Sequence, residues 1–170
     1  MATGRSNQLT GHIGEHLVAA ELGRRGLFAT PFAGNVPDYD LLVVDERGRA
    51  VPVQVKTISK GDWQFKKNQF INIEIKRNVQ YKKGKVRLRD PSLLCVFVRL
   101  RGGDRNEDEF YIFHVCELQN LIYRQCAARK RRPRNPLSMH CRVKPSDIKP
   151  HADRWQVLYA ALRQRNRNTV

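Results

Sequence analysis

The sequence predicts an α/β (α+β) chain in which helices flank one central mixed β-sheet. Three observations carry this reading. A helix-length segment opens the chain and another closes it, while most of the strand-like segments fall between them. FINIEIK, Phe70 to Lys76, alternates apolar and polar residues with the period of two that a half-buried strand requires. LLCVFVRL, Leu93 to Leu100, is almost wholly apolar and suits a central strand covered on both faces.

The elements follow in order. Thr10 is a candidate cap for a helix from Gly11 to Arg25, which Gly26 would stop. Leu27 to Phe32 reads as a short strand and Asn35 to Pro37 as a turn. Asp40 to Asp45 is a buried strand, and Glu46 to Arg49 turns it into a returning strand over Ala50 to Ile58. Pro52 is tolerable near the start of that strand. After FINIEIK, a basic, mobile segment is expected up to Asp90. Leu93 to Leu100 and Glu109 to Val115 read as a hairpin with a polar turn at Gly102 to Asp108. A helix over Glu117 to Ala128, a basic linker over Arg129 to Asn135, an edge strand over Met139 to Val143 and a helix over Asp153 to Gln164 complete the chain. No internal repeat occurs.

The 170 residues are read as a single domain, 1–170, with a basic segment at 63–90 and a C-terminal extension at 129–170. No run of about 18 apolar residues is present, so no membrane span is expected. The opening residues lack the apolar stretch of a secretory signal, and a cytoplasmic location is the expectation. Cys95, Cys116, Cys126 and Cys141 show no paired spacing and read as small hydrophobic residues.

Net charge is +16 and unevenly spread. Residues 1–62 carry seven basic and seven acidic side chains, whereas residues 63–170 carry 25 basic and nine acidic. A positive field of this kind attracts polyanions, nucleic acid being the usual one. The neutral first third is where chemistry is expected.

Three short pieces there belong together. Glu15 lies on the opening helix, Pro37-Asp-Tyr-Asp40 enters an apolar strand, and Gln54-Val-Lys56 lies in the next strand. Side chains of a strand alternate, so Gln54 and Lys56 share a face. An acid facing a Gln and a Lys can hold a hard cation through oxygen, with the Lys touching a phosphate or a water. Asp38 rivals Asp40 for the acid, but Asp40 directly precedes the apolar strand, and Asp38 reads as a turn residue.

This set resembles the PD-(D/E)XK nuclease superfamily, and most of all its compact members similar to Holliday-junction resolvases. Gly14-Glu15, Gly26, Tyr39-Asp40-Leu41 and Gln54-Val55-Lys56-Thr57 carry the resemblance. It implies a restriction-endonuclease-like αβββαβ core and a nuclease, expected to be a DNA endonuclease, dependent on Mg²⁺ or Mn²⁺. It implies that Asp40, Gln54 through its side-chain oxygen, the Val55 carbonyl and Glu15 hold the metal. Lys56 would be the catalytic lysine that orients or deprotonates the attacking water. Gln54 stands where many members have Glu, which keeps open a catalytically weak or inactive nucleic-acid-binding module. Many junction-cutting relatives are dimers, so a homodimer is compatible with the resemblance.

His12, Glu15 and His16 also spell H-x-x-E-H, a reversed zinc-protease motif. The two histidines fall within roughly 40° on a helical wheel. Glu74 and Glu117 are formal third ligands, but neither lies in a supporting motif, and a peptidase explains neither the charge nor Gln54-Val-Lys56. Among the basic residues, Lys66, Lys67, Lys82, Lys83, Lys85 and Arg87 are the expected nucleic-acid contacts, with Trp63, Phe65 and Tyr81 interleaved. Phe65 is better suited to core and Tyr81 to stacking on a base. Arg129 to Arg132 with Arg134 form a second basic cluster.

Overall fold

Period-two alternation in one strand divides the molecule into two layers. In the computed structural model, which describes residues 4–32, 38–101, 107–128 and 137–164, this strand is β3 (Ala50–Ile58). Val51, Val53 and Val55 are buried on one face, while Pro52, Gln54 and Lys56 are only half-buried on the other. Strand β3 is the middle of a five-stranded sheet ordered β1 (Phe28–Pro31), β2 (Leu41–Val44), β3, β7 (Leu94–Arg99), β8 (Glu109–His114). All neighbours run antiparallel except β3 and β7, which are parallel. The fold is thus a mixed α+β one.

Helices α1 (Gly4–Arg24) and α3 (Gln156–Gln164) cover the valine face, where Val18, Leu22, Leu158 and Leu162 pack on Val53, Val55, Val96 and Val98. On the other face, Cys95, Phe97 and Phe113 meet α2 (Val115–Ala128) through Leu118 and Ile122. They also meet a small ladder of β4 (Trp63–Lys66) with β9 (His140–Val143). The stacked and edge-on rings of Phe65, Phe97 and Phe113 form the centre of this layer. Both faces of β7 are therefore covered, which accounts for its unbroken apolar run.

Three expectations need correction. Helix α1 begins at Gly4, and Thr10 lies inside it with its hydroxyl donating to the Ser6 carbonyl at 2.9 Å. A Thr that can satisfy itself on the preceding turn is not a start signal. The basic segment after FINIEIK is ordered: β6 (Val79–Lys85) pairs with β5 (Ile71–Lys76) across a turn at Arg77 and Asn78, both with positive φ. Its lysines conceal the strand because no apolar partner is needed on its outer face. WQFK, read only as aromatics among lysines, is strand β4, and the Met139–Val143 strand pairs with it instead of edging the main sheet. Residues 59–93 link β3 to its parallel neighbour β7 through β4 and the β5–β6 hairpin. The Asn35–Pro37 turn, most of the Gly102–Asp108 turn and the Arg129–Arg134 cluster lie outside the described residues.

Gly26, at φ +77°, ends the first helical segment as expected. Gly14 fixes where α1 sits. A Cβ on Gly14 would stand 1.8 Å from Thr57 Oγ1 and 2.8 Å from Thr57 Cβ. The helix backbone rests on β3 at Thr57, and the next residue, Glu15, is carried to the end of the strand that bears Lys56. In an exposed helix, Gly→Ala stabilises by about 1 kcal/mol. Here Gly14→Ala should instead destabilise by about 1–3 kcal/mol through overpacking. Urea denaturation reads the sign, and Gly14→Ala combined with Thr57→Gly should recover most of the loss.

Candidate active site

Strands β2 and β3 part just beyond Leu41, and Asp40 occupies the fork. Its backbone N–H donates to the Val53 carbonyl at 3.0 Å, and its Oδ2 accepts the Val55 N–H at 2.6 Å. The carboxylate thus replaces the ladder bond that β2 would have supplied. Burial pushes the Asp40 pKa above the usual carboxylate range; the Val55 N–H opposes this, the Glu15 carboxylate adds to it, and the Lys56 ammonium opposes it. Glu15, Val55 and Lys56 are therefore each within electrostatic reach of Asp40. The N–H and C=O of one strand residue point to the same side, so the Val55 carbonyl is directed into the same fork as its N–H.

Gln54 and Lys56 line a cleft of about 210 Å³ together with Asp38, Phe65, Gln69 and Arg89. Lys56 Nζ lies 5.8 Å from the centroid of the Phe65 ring. Its backbone is pinned by Trp63, whose Nε1–H donates to the Lys56 carbonyl at 2.9 Å. Asp38 sits at φ +71° on the cleft rim, 3.8 Å from Arg89, a turn position as its sequence context indicated. Beneath the floor, Cys95 pairs in register with Gln54 and is fully buried. Burial pushes its thiol up to about 12, so it packs as a neutral hydrophobe and supplies no thiolate.

The donor set for a metal consists of oxygens: the Asp40 and Glu15 carboxylates, the Val55 carbonyl and the Gln54 amide. Two neighbouring carboxylates, both half-buried, are electrostatically suited to a hard divalent cation. Among the described residues, no group of three or more His, Cys, Asp and Glu side chains gathers to hold a metal. A cation here would rely on two charges and neutral oxygens. His12 stands 3.4 Å from Glu15 and is exposed, as is His16. The formal zinc ligands are on other elements: Glu74 on β5 binds Lys76 and Lys83, while Glu117 on α2 accepts from the His114 N–H and pairs with Arg154.

The expected nucleic-acid contacts are dispersed. Lys66 is exposed on β4. Lys67 is tied to Gln80 and the Ser138 carbonyl. Lys82 lies 3.8 Å over the Tyr123 ring on α2, and Lys85 binds Asn120 on the same helix. Lys83 pairs with Glu74, and Arg87 is exposed between β6 and the cleft. Phe65 is core and Tyr81 is 47% exposed, the division expected from sequence. Gln69 and the Trp63 anchor were not foreseen, and Arg89 stood out only as one charge among many. Nothing in a linear reading signals a residue that reaches a cleft from a separate hairpin.

A carboxyl whose folded pKa lies above its unfolded value costs stability once ionised, and the cost vanishes as pH falls below the unfolded value near ~3.9. Asp40→Asn keeps an oxygen for the Val55 N–H and removes the charge. It should be more stable than the wild type at pH 7, with the difference shrinking towards pH 3.5. Denaturation at both pH values checks this; a variant less stable at pH 7 would show that the ionised carboxylate strengthens the fork.

No family model matches the chain, and no curated protein does. No helix among the described residues is long and apolar enough to cross a membrane. Among solved structures, the fold is similar to that of I-Ssp6803I, a bacterial homing endonuclease. The two are 16% identical, the match covers 90% of this chain and 93% of that one, and the TM-score is 0.50. At that identity the likeness is one of fold: the chain shares a mixed α+β fold with that protein.

Proposed function

We propose that the protein is a metal-dependent nuclease of the PD-(D/E)XK kind, in its Gln-x-Lys form, which hydrolyses phosphodiester bonds of DNA. The carrying observation is the fork: Asp40 held by the Val55 N–H, with Glu15 raising and Lys56 lowering its pKa. The endonuclease-like fold and the +16 charge support the same reading. Asp40, Gln54, the Val55 carbonyl and Glu15 would hold Mg²⁺ or Mn²⁺, which when bound would neutralise phosphate charge and acidify a water. Lys56, projecting into the cleft, places the attacking water and stabilises the charge that builds on the phosphoryl oxygens. Arg89, on the rim, binds a flanking phosphate. Trp63 holds the Lys56 backbone, so the amine is presented by a rigid strand rather than a loop. The homodimer compatible with the resemblance belongs to this proposal, and sedimentation at micromolar concentration tests it.

Asp40→Asn and Lys56→Ala should each lower Mg²⁺-dependent cleavage of plasmid and branched DNA by about 100-fold or more, the scale of losing one transition-state contact. Circular dichroism should show both folded. Near wild-type cutting by either folded variant removes the assignment.

A second reading, a binding module with a silent site, draws on Gln54 and on the absence of a third acid among the described residues. Gln54→Glu adds a charge beside the metal. It should tighten Mg²⁺ binding by calorimetry and retain cleavage at lower metal concentration, because Mg²⁺ sheds water reluctantly and favours anionic oxygen. If neither the wild type nor Gln54→Glu binds metal, the binding module stands.

A further inference from the structure

We infer that the β5–β6 hairpin is a ribbon that enters the major groove of B-form duplex DNA, an inference that rests on the nucleic-acid reading above and names its substrate class. The two strands belong to no larger sheet. An isolated pair is marginal in water unless something holds it. Here Gln119, a buried residue of α2, grips both arms at their root: its side-chain amide donates to the Phe70 carbonyl at 3.0 Å and to the Val86 carbonyl at 2.7 Å. Near the tip, Gln80 accepts from the Lys67 ammonium at 3.2 Å and donates to the Ser138 carbonyl at 3.1 Å, so the hairpin is held along the body of the molecule with one face turned outward.

Its root lies at the cleft. Gln69 and Phe70, entering β5, and Leu88 and Arg89, leaving β6, line the same cavity as Gln54 and Lys56. From there the six residues of β5 extend roughly 20 Å at about 3.4 Å per residue. That reach corresponds to about six base pairs at ~3.4 Å per step.

The charge fits a polyanion. Residues 71–87 hold six basic side chains against Glu74 alone. One face of the ribbon is occupied, with Lys82 and Lys85 over Tyr123 and Asn120 of α2. The other presents Lys76, Lys83 and the half-exposed Tyr81 to solvent, and the tip presents Arg77 and Asn78, also exposed. Lys and Arg pair with the phosphates that flank the groove and with guanine edges, Asn with adenine, and Tyr packs its ring on a thymine methyl or on sugar. The register shift at Asn72/Ile73 adds twist to the pair, as a bulge does. A two-stranded ribbon fits the B-DNA major groove, about 12 Å wide, but not the deep, narrow one of duplex RNA.

The test measures binding, not cutting, on the Asp40→Asn chain, so failure of the nuclease reading leaves it interpretable. Probes are a 30-base-pair random-sequence DNA duplex, the matching RNA duplex, and a DNA duplex whose major groove is filled by glucosylated hydroxymethylcytosine. The DNA duplex should bind at least ten-fold more tightly than the other two. Arg77→Gln with Lys83→Gln should weaken DNA binding at least ten-fold and lower the slope of log affinity against log salt by about two units, near 0.9 per phosphate contact. The charge-matched control Arg24→Gln with Arg47→Gln, at the opposite end of the main sheet, should do neither. Equal binding of duplex RNA or of glucosylated DNA overturns the proposal, as does an unchanged slope in the hairpin variant. So does a dimer that Val79→Lys dissociates without loss of DNA affinity, because the exposed Val79 and Tyr81 would then face a second copy of the chain.

Discussion

Because successive side chains of a strand point to opposite faces, β3 can do two things at once. It fills the core beneath α1 and α3 with Val51, Val53 and Val55, and it delivers Gln54 and Lys56 to the cleft on the other side. A slip of one residue in its pairing with β2 or β7 would bury Gln54 and Lys56 and expose three valines. The register is held by the core itself, so the geometry of the candidate site is maintained by apolar packing that never touches a substrate. Other placements follow from it. Gly14 seats α1 on Thr57 of this strand, Trp63 bonds to the Lys56 carbonyl, and Asp40 caps the Val55 N–H.

The fork at Asp40 places stability and chemistry in opposition. Burial and the nearby Glu15 carboxylate both disfavour the ionised acid, while one backbone N–H and one ammonium favour it. A fold selected only for stability would put a neutral residue there. A carboxylate kept ionisable against that cost, in a neutral third of a strongly basic chain, supports the cation site proposed above.

The basic residues divide by what they touch. Several are structural: Lys67 ties β4 to the segment before β9, and Lys82 and Lys85 lie on Tyr123 and Asn120. Their aliphatic stems cover α2 while their charge stays near solvent. The field of the molecule is their sum, and in the proposed complex close contact with a polyanion is left to the outer face and tip of the hairpin and to the cleft rim at Arg89.

How much was legible in advance depended on whether a residue's role was local. Asp40, Gln54, Val55 and Lys56 could be grouped from sequence because two adjacent antiparallel strands joined by a short turn bring them together, and side-chain alternation is a local rule. Glu15 was legible as the residue after a Gly, but only the fold shows why that Gly is required, since Thr57 is 43 positions away. The β6 strand was hidden because its lysines carry no apolar period; its partner, the grip of Gln119 and the turn at Arg77-Asn78 define it. The start of α1 was misplaced because a hydroxyl can serve as a cap or bond back within a helix, and one sequence permits both. The class of fold, the two-faced strand and the residue types of the candidate site are therefore readable along the chain. Which lysines face solvent, and that the hairpin starts at the cleft, depend on segments distant in the chain meeting in space, where no period or spacing records them.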